Sequence, residues 1–177
     1  MILIKKQIKL FFILTVSSFL IISCSSDSES SGETSTTSEE GGIVTSRILN
    51  PGKTYTIANF EAAGLKKPKS LKADAVDKKT GEPITPKATE AHLGFFKSSM
   101  GPKDIELRFY ENHQDALESG VPVAEKTISV THEAGGAVKG AGTFAKSSYG
   151  AYILTGNVVM LCQVQIEVCD ELISELK

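Results

Sequence analysis

The sequence has no tryptophan, and its only arginines are Arg47 and Arg108. Surfaces that bind nucleic acid are rich in clustered basic residues and stacking aromatics, so this composition predicts no nucleic-acid partner. The three histidines, His92, His113 and His132, are widely spaced and form no H-E-x-x-H pair. Neither a phosphate-binding loop nor a G-x-S-x-G nucleophile motif occurs. We therefore expect no cofactor and identify no catalytic residue or metal ligand from the sequence.

The chain also lacks the uninterrupted apolar run of about 20 residues that a membrane-spanning helix requires. Its uncharged, mostly apolar stretch from Leu10 to Ile22 has thirteen residues and follows a segment with Lys5, Lys6 and Lys9 but no acid. A basic segment before a short apolar one is typical of a secretory signal. The alternative, a retained anchor helix, fits less well because lysines interrupt the longer run and no basic cluster follows it.

The residues Ile21-Ile22-Ser23-Cys24 resemble a bacterial lipobox, in which aliphatic residues and a small residue precede a cysteine. A cysteine suits this position because its thiolate is a nucleophile that can accept a diacylglyceryl group. We predict a signal peptide at residues 1–23 and lipid attachment at Cys24, with acyl chains that hold the protein to the membrane. An ordinary secretory signal with a nearby cysteine is the alternative. The prediction places the protein in the cell envelope, facing outside the cytoplasm.

After Cys24 the composition changes. Residues 24–42 contain ten Ser or Thr and five acids among nineteen residues, with no basic or aromatic residue. Such a segment buries too little apolar surface to offset its ordering entropy, so we predict a disordered tether. Residues 43–177 carry 16 basic and 16 acidic residues. Their length suits a single domain, and their neutral charge directs it to no charged partner.

With Cys24 assigned to lipid, Cys162 and Cys169 remain in a compartment that permits disulfides. They are seven residues apart, where a strand is expected to pass into a helix. A disulfide forms only if the chain folds back far enough for their Cα atoms to approach. Two separately buried free cysteines are the alternative, since cysteine also behaves as a small apolar residue.

Apolar periodicity predicts an α+β domain. Ile105, Leu107 and Phe109 alternate with polar residues as in a half-buried strand. A helix capped by Asn112 follows, then two strands around Gly156-Asn157 and a helix over residues 164–176. This order predicts a small antiparallel sheet covered on one face by two helices and preceded by the tether.

The lysine-rich segment from Lys66 to Lys79 is ambiguous. Its spacing fits a strand or a short helix equally well. The charges are typical of a solvated face, and the functional alternative is contact with anionic headgroups near a membrane.

The second half of the chain, from about Ala91 to Lys177, carries a characteristic set of residues. They are Glu106, Leu107, Arg108, Phe109, Tyr110, His113, Ala116, Tyr149, Gly150, Tyr152, Gly156, Asn157, Val159, Met160, Leu161, Cys162 and Cys169. With these residues the chain resembles a family of uncharacterised bacterial lipoproteins, in which valine is usual at the position of Leu107. The resemblance implies an extracytoplasmic lipoprotein and carries no known activity.

Three functional hypotheses follow. The first is a lipid-tethered binding module whose partner is a protein or a small-molecule ligand. Its candidate surface consists of Tyr110, His113, Tyr149 and Tyr152. The Gly-rich stretch near residues 129–148 is an adjoining loop in this hypothesis. The second is a small envelope hydrolase or metal-dependent enzyme around His113, with Asp115 and Glu111. The third is a purely structural envelope protein. The sequence favours a binding module over an enzyme because it contains no catalytic motif.

Overall fold

The computed structural model describes residues 34–36, 45–133 and 149–177. The predicted signal peptide, Cys24, most of the predicted tether and the Gly-rich residues 134–148 lie outside this range. In the part of the chain that is described, no helix has the length and apolar character to cross a bilayer.

In the described residues, seven strands form one mixed sheet in the order β1-β2-β6-β7-β5-β4-β3. All neighbouring pairs are antiparallel except β2 and β6, which are parallel. The α+β class and the mostly antiparallel sheet are therefore confirmed. The strands are β1 Thr34–Thr36, β2 Ser46–Leu49, β3 Lys66–Leu71, β4 Glu90–Ser98, β5 Gly101–Phe109, β6 Tyr149–Thr155 and β7 Val158–Gln163.

The helices cover both faces of the sheet. On face A, which carries Leu107, Ile153 and Met160, the core includes Phe60 of α1 and Leu172 of α4. Face B carries Leu154, Val159 and Leu161 and packs against a π-helical turn and α3. The prediction of two helices on one face is wrong, because the two predicted helices pack on opposite faces. The helical segments are α1 Ile57–Ala62, α2 His113–Asp115, the π turn Ala116–Gly120, α3 Val121–Glu133 and α4 Glu167–Ser174.

The burial of β6 and β7 explains this two-sided cover. Every residue of β6 is buried, and so is every residue of β7 except Gln163. A strand buried along its whole length needs apolar neighbours on both faces. The predicted hairpin at Gly156-Asn157 is present, and Gly156 takes the positive φ of 55° that suits glycine. The buried Asn157 side chain accepts a bond from the Tyr55 N–H at 2.6 Å and donates to the carbonyl of Tyr110 at 3.0 Å.

One predicted boundary needs correction, and one ambiguous segment is resolved. The residues Thr34–Thr36, predicted as tether, form β1 and pair with β2. Threonine favours strands because its branched Cβ packs well on a pleated surface, and the outer edge of β2 offers backbone partners. The ambiguous lysine-rich segment is resolved as a strand, since Lys66–Leu71 forms β3 at the opposite edge of the sheet.

The Cys162–Cys169 disulfide is confirmed. The two Cα atoms are 5.7 Å apart, and both residues are fully buried on face A. The bond joins the end of β7 to the first turn of α4, so it fixes this helix against the sheet.

Candidate functional site

The three tyrosines predicted as an exposed binding surface are buried on face B. Tyr110, Tyr149 and Tyr152 are 2%, 4% and 5% exposed. Burial raises the pKa of both Tyr110 and Tyr152 to about 12. The prediction of exposure is wrong because the π turn and α3 pack on this face: a Cβ at Gly120 would lie 2.6 Å from the Tyr110 hydroxyl.

His113 joins a helix to the sheet. It begins α2, and its Nδ1 lies 2.6 Å from the carbonyl oxygen of Gly156 in the β6–β7 hairpin. Asp115 instead contacts the cap residue Asn112, whose side-chain oxygen accepts from the Asp115 N–H and whose side-chain amide donates to Oδ2 of Asp115. Its Oδ1 pairs with Nζ of Lys87 at 2.9 Å. The Lys87 ammonium holds the pKa of Asp115 below its usual value.

His113 and Asp115, two residues of the enzymatic hypothesis, thus contact different partners, while Glu111 is exposed. Among the described residues, no three His, Cys, Asp or Glu side chains are grouped closely enough to hold a metal ion.

A buried ion pair lies on β5. The Nε of Arg108 donates to Oε1 of Glu106 at 2.7 Å, and the side chains are only 4% and 1% exposed. The hydroxyl of Tyr149 donates to the other carboxylate oxygen at 3.0 Å. Within the described residues, Arg108 Nη1 and the Tyr110 hydroxyl are buried without a hydrogen-bond partner. This cluster ties β5 to the start of β6 by charge-assisted bonds in a low-dielectric interior.

A cleft opens at the end of the β3–β4 pair. It has a volume of about 380 Å³ and is open to solvent. The wall carries groups of both charge signs together with hydroxyls and short apolar side chains. Its lining residues are Ser70, Leu71, Lys72, Ala73, Asp74, Ala88, Thr89, Glu90 and His92.

The His92 side chain of the cleft is held by two contacts. Its Nε2 lies 3.1 Å from Oε2 of Glu90, and its ring packs edge-on against Phe109 with centroids 5.8 Å apart. Only 14% of the His92 side chain is exposed, whereas Glu90 is 60% exposed. A ring held from two sides presents its polar atoms in a fixed direction, which is what a selective binding site needs.

The cleft is not predicted from the sequence because the periodicity does not identify β4. A signal was available: Glu90 and His92 are two residues apart, and a strand places such a pair on one face. The opposite wall comes from β3 and the following turn, and no local sequence pattern reports that pairing.

Comparison with known proteins finds a family model that matches part of the chain, and it indicates no activity. Residues 56–140 match a family model described as a family of unknown function, DUF6810. No curated protein matches the chain. No solved structure matches it either. The matched range contains every residue that lines the cleft and excludes both cysteines of the disulfide.

Proposed function

We propose that this protein is a lipid-anchored binding module of the cell envelope that takes a small polar ligand in the β3–β4 cleft. In this proposal residues 1–23 are the signal peptide and Cys24 carries the lipid. The residues before Thr34 are the tether, and the chain from Thr34 onward is one extracytoplasmic domain. The partners are the membrane, through the lipid, and the ligand.

The disulfide supports an extracytoplasmic location. Cytoplasmic thiols are kept reduced, and stable disulfides are typical of secreted and envelope proteins. The Cys162–Cys169 bond lies wholly in the core, and such a position is typical of a structural disulfide. The basic and apolar segments before Cys24, and the resemblance to uncharacterised bacterial lipoproteins, point to the same compartment.

The cleft is the observation that carries the binding proposal. Its volume of about 380 Å³ falls in the range of sites for small ligands. On the wall formed by β3 and the following turn, Lys72 offers a cation and Asp74 a carboxylate, while Glu90 offers a second carboxylate from β4. A small molecule with an anionic and a hydrogen-bond-donating group, such as a zwitterion, matches this lining by charge.

We expect a screen of amino acids, hydroxy acids and small sugar acids to find a compound that raises the melting temperature. Binding to the native state alone stabilises it by about 2.7 kcal/mol at 100 times the dissociation constant. His92→Ala removes the fixed ring and should abolish the shift. His113→Ala is the matched control, because that histidine contacts the Gly156 carbonyl elsewhere on the sheet, and it should keep the response.

Two results would contradict the proposal. One is a stabilising compound whose effect is the same in His92→Ala as in the unmodified protein. The other is a shift with Zn²⁺ that disappears in His113→Ala, which would favour the metal-dependent hypothesis.

A further inference from the structure

The outer half of face B carries a surface in which apolar residues have a basic border. Lys66 pairs directly with Phe95, and Lys69 pairs directly with Leu93, across the β3–β4 ladder. Directly paired residues project from the same face of a sheet. Lys97 lies two residues beyond Phe95 on β4 and therefore points the same way. We call these five residues the lysine-rimmed surface.

This surface is open to solvent. Lys66, Lys69 and Lys97 are exposed, while Leu93 and Phe95 are partly exposed. The helix α3 lies over β6 and β7, at the other half of the same face. The two apolar residues thus form a floor, and the three lysines form its border.

The charge of the surface is positive. None of the three lysines forms an ion pair with a described residue. Asp104 lies opposite Phe95 on β5 and offsets one charge. Glu106, opposite Leu93, is neutralised by Arg108 beneath the surface. A local excess of lysine therefore remains around an apolar floor.

Protection of a sheet edge explains only part of this arrangement. Lysines on an edge strand prevent pairing with another sheet, and this accounts for Lys66 and Lys69 on β3. Lys97 lies on β4 beyond Phe95, the last β4 residue that pairs with β3, so edge protection applies to it as well; what edge protection does not explain is the partly exposed Leu93 and Phe95 between the lysines. A partner with negative charge and an apolar interior matches all five residues.

We infer that the lysine-rimmed surface docks on a bilayer that contains anionic lipid. Lysines near such a surface are attracted to anionic headgroups, and amphipathic surfaces bury apolar side chains at the boundary with the acyl chains. The choice of a membrane over another polyanion rests on the proposed lipid anchor.

The chain between Cys24 and β1 is long enough for the lipid on Cys24 and the lysine-rimmed surface to contact the membrane at the same time. β1 lies at one edge of the sheet and β3 at the other, six strand spacings or about 29 Å apart. Cys24 precedes Thr34 by ten residues, a length that spans at most about 35 Å. An acylated Cys24 can therefore reach the membrane while the lysine-rimmed surface contacts it.

The test uses the chain that starts at Ser25, which cannot carry the lipid. Both cores lie between Tyr55 and Leu172, so this chain retains them. We expect it to sediment with phosphatidylcholine vesicles that contain phosphatidylglycerol and not with pure phosphatidylcholine vesicles. Raising the salt should release it, because screening shortens the range of exposed charges.

A pair of charge-matched variants locates the contact. Lys66→Glu/Lys69→Glu should weaken binding by about 30-fold or more, since each lysine near an anionic membrane contributes about fivefold. Lys53→Glu/Lys177→Glu makes the same change in net charge at exposed positions elsewhere and should bind as the unmodified chain does.

Equal binding by both variants would overturn the inference, as would equal sedimentation with the two kinds of vesicle. Binding to DNA or to an acidic peptide without binding to vesicles would assign the surface to another partner. A negative result in the vesicle experiment does not contradict the proposed lipid anchor, because the anchor is tested separately by the mass of the native protein.

Discussion

Replacing Arg108 with alanine is expected to lower the free energy of unfolding by about 3 to 5 kcal/mol. The guanidinium is the charged partner of Glu106, which is fully buried. Without it the carboxylate keeps the hydroxyl of Tyr149 but has no countercharge in a medium of low dielectric. Urea unfolding of Arg108→Ala and the unmodified chain, followed by circular dichroism, measures the difference.

Two further variants separate this mechanism from a loss of packing. In Glu106→Leu/Arg108→Met both charges are removed, so the double variant should be more stable than Arg108→Ala alone. Arg47→Ala breaks the ion pair with Asp170, whose side chains are 29% and 28% exposed, and should cost about 1 kcal/mol or less. A cost for Arg108→Ala no larger than that for Arg47→Ala would contradict the buried-pair account.

Replacing Gly150 with alanine is expected to destabilise the protein by about 3 kcal/mol or more, since overpacking costs about 1 to 3 kcal/mol even where side chains can move. Here the obstacle is backbone: a Cβ at Gly150 would overlap the carbonyl group of Val164. Gly150 lies at an irregularity in the β6–β7 pairing, between Tyr149 and Ala151. Val164 already has a φ of 73°, which a β-branched residue rarely adopts.

Gly52→Ala is the matched control for this substitution. A Cβ at Gly52 would meet no atom within 4 Å, so the change should alter stability by about 0.5 kcal/mol or less. Thermal unfolding of the two alanine variants in parallel gives the comparison. Similar melting temperatures for both would show that the β6 backbone can move away from Val164 at little cost.

The paired strands β6 and β7 show what the sequence predicted and what it did not. The hairpin dipeptide Gly156-Asn157 and its flanking apolar runs predict these strands correctly. The runs are continuous rather than alternating, and continuity is typical of strands covered on both faces. That signal was available and favours helices on both sides of the sheet, which is what the structure shows.

The polar residues of β5 mislead a periodicity argument. Alternation predicts that Glu106 and Arg108 face solvent, yet both are buried because they neutralise each other. The two residues are adjacent on one strand face, and burial as a pair needs the cover that only the tertiary fold supplies. Tyr110 and Tyr149 lie on the same face of the sheet and are also buried, so the predicted tyrosine surface does not form.

The sequence leaves two alternatives for Cys162 and Cys169, a disulfide or two separately buried free cysteines. Its formation depends on how the chain turns between β7 and α4, which brings the Cα atoms of Cys162 and Cys169 to 5.7 Å. The cleft residues Glu90 and His92 belong to a strand that periodicity did not identify. Local patterns thus identify strands and caps, whereas the cleft depends on pairing between β3 and β4.

The intact mass of the protein extracted from its native membrane tests the central claim most directly. We predict a chain that begins at Cys24, carries acyl groups at that residue, and gains the mass of two hydrogen atoms when a reductant opens the bond between Cys162 and Cys169. A mass that corresponds to a chain still beginning at Met1, or to a cleaved chain without acyl groups, would contradict the lipid-anchored assignment.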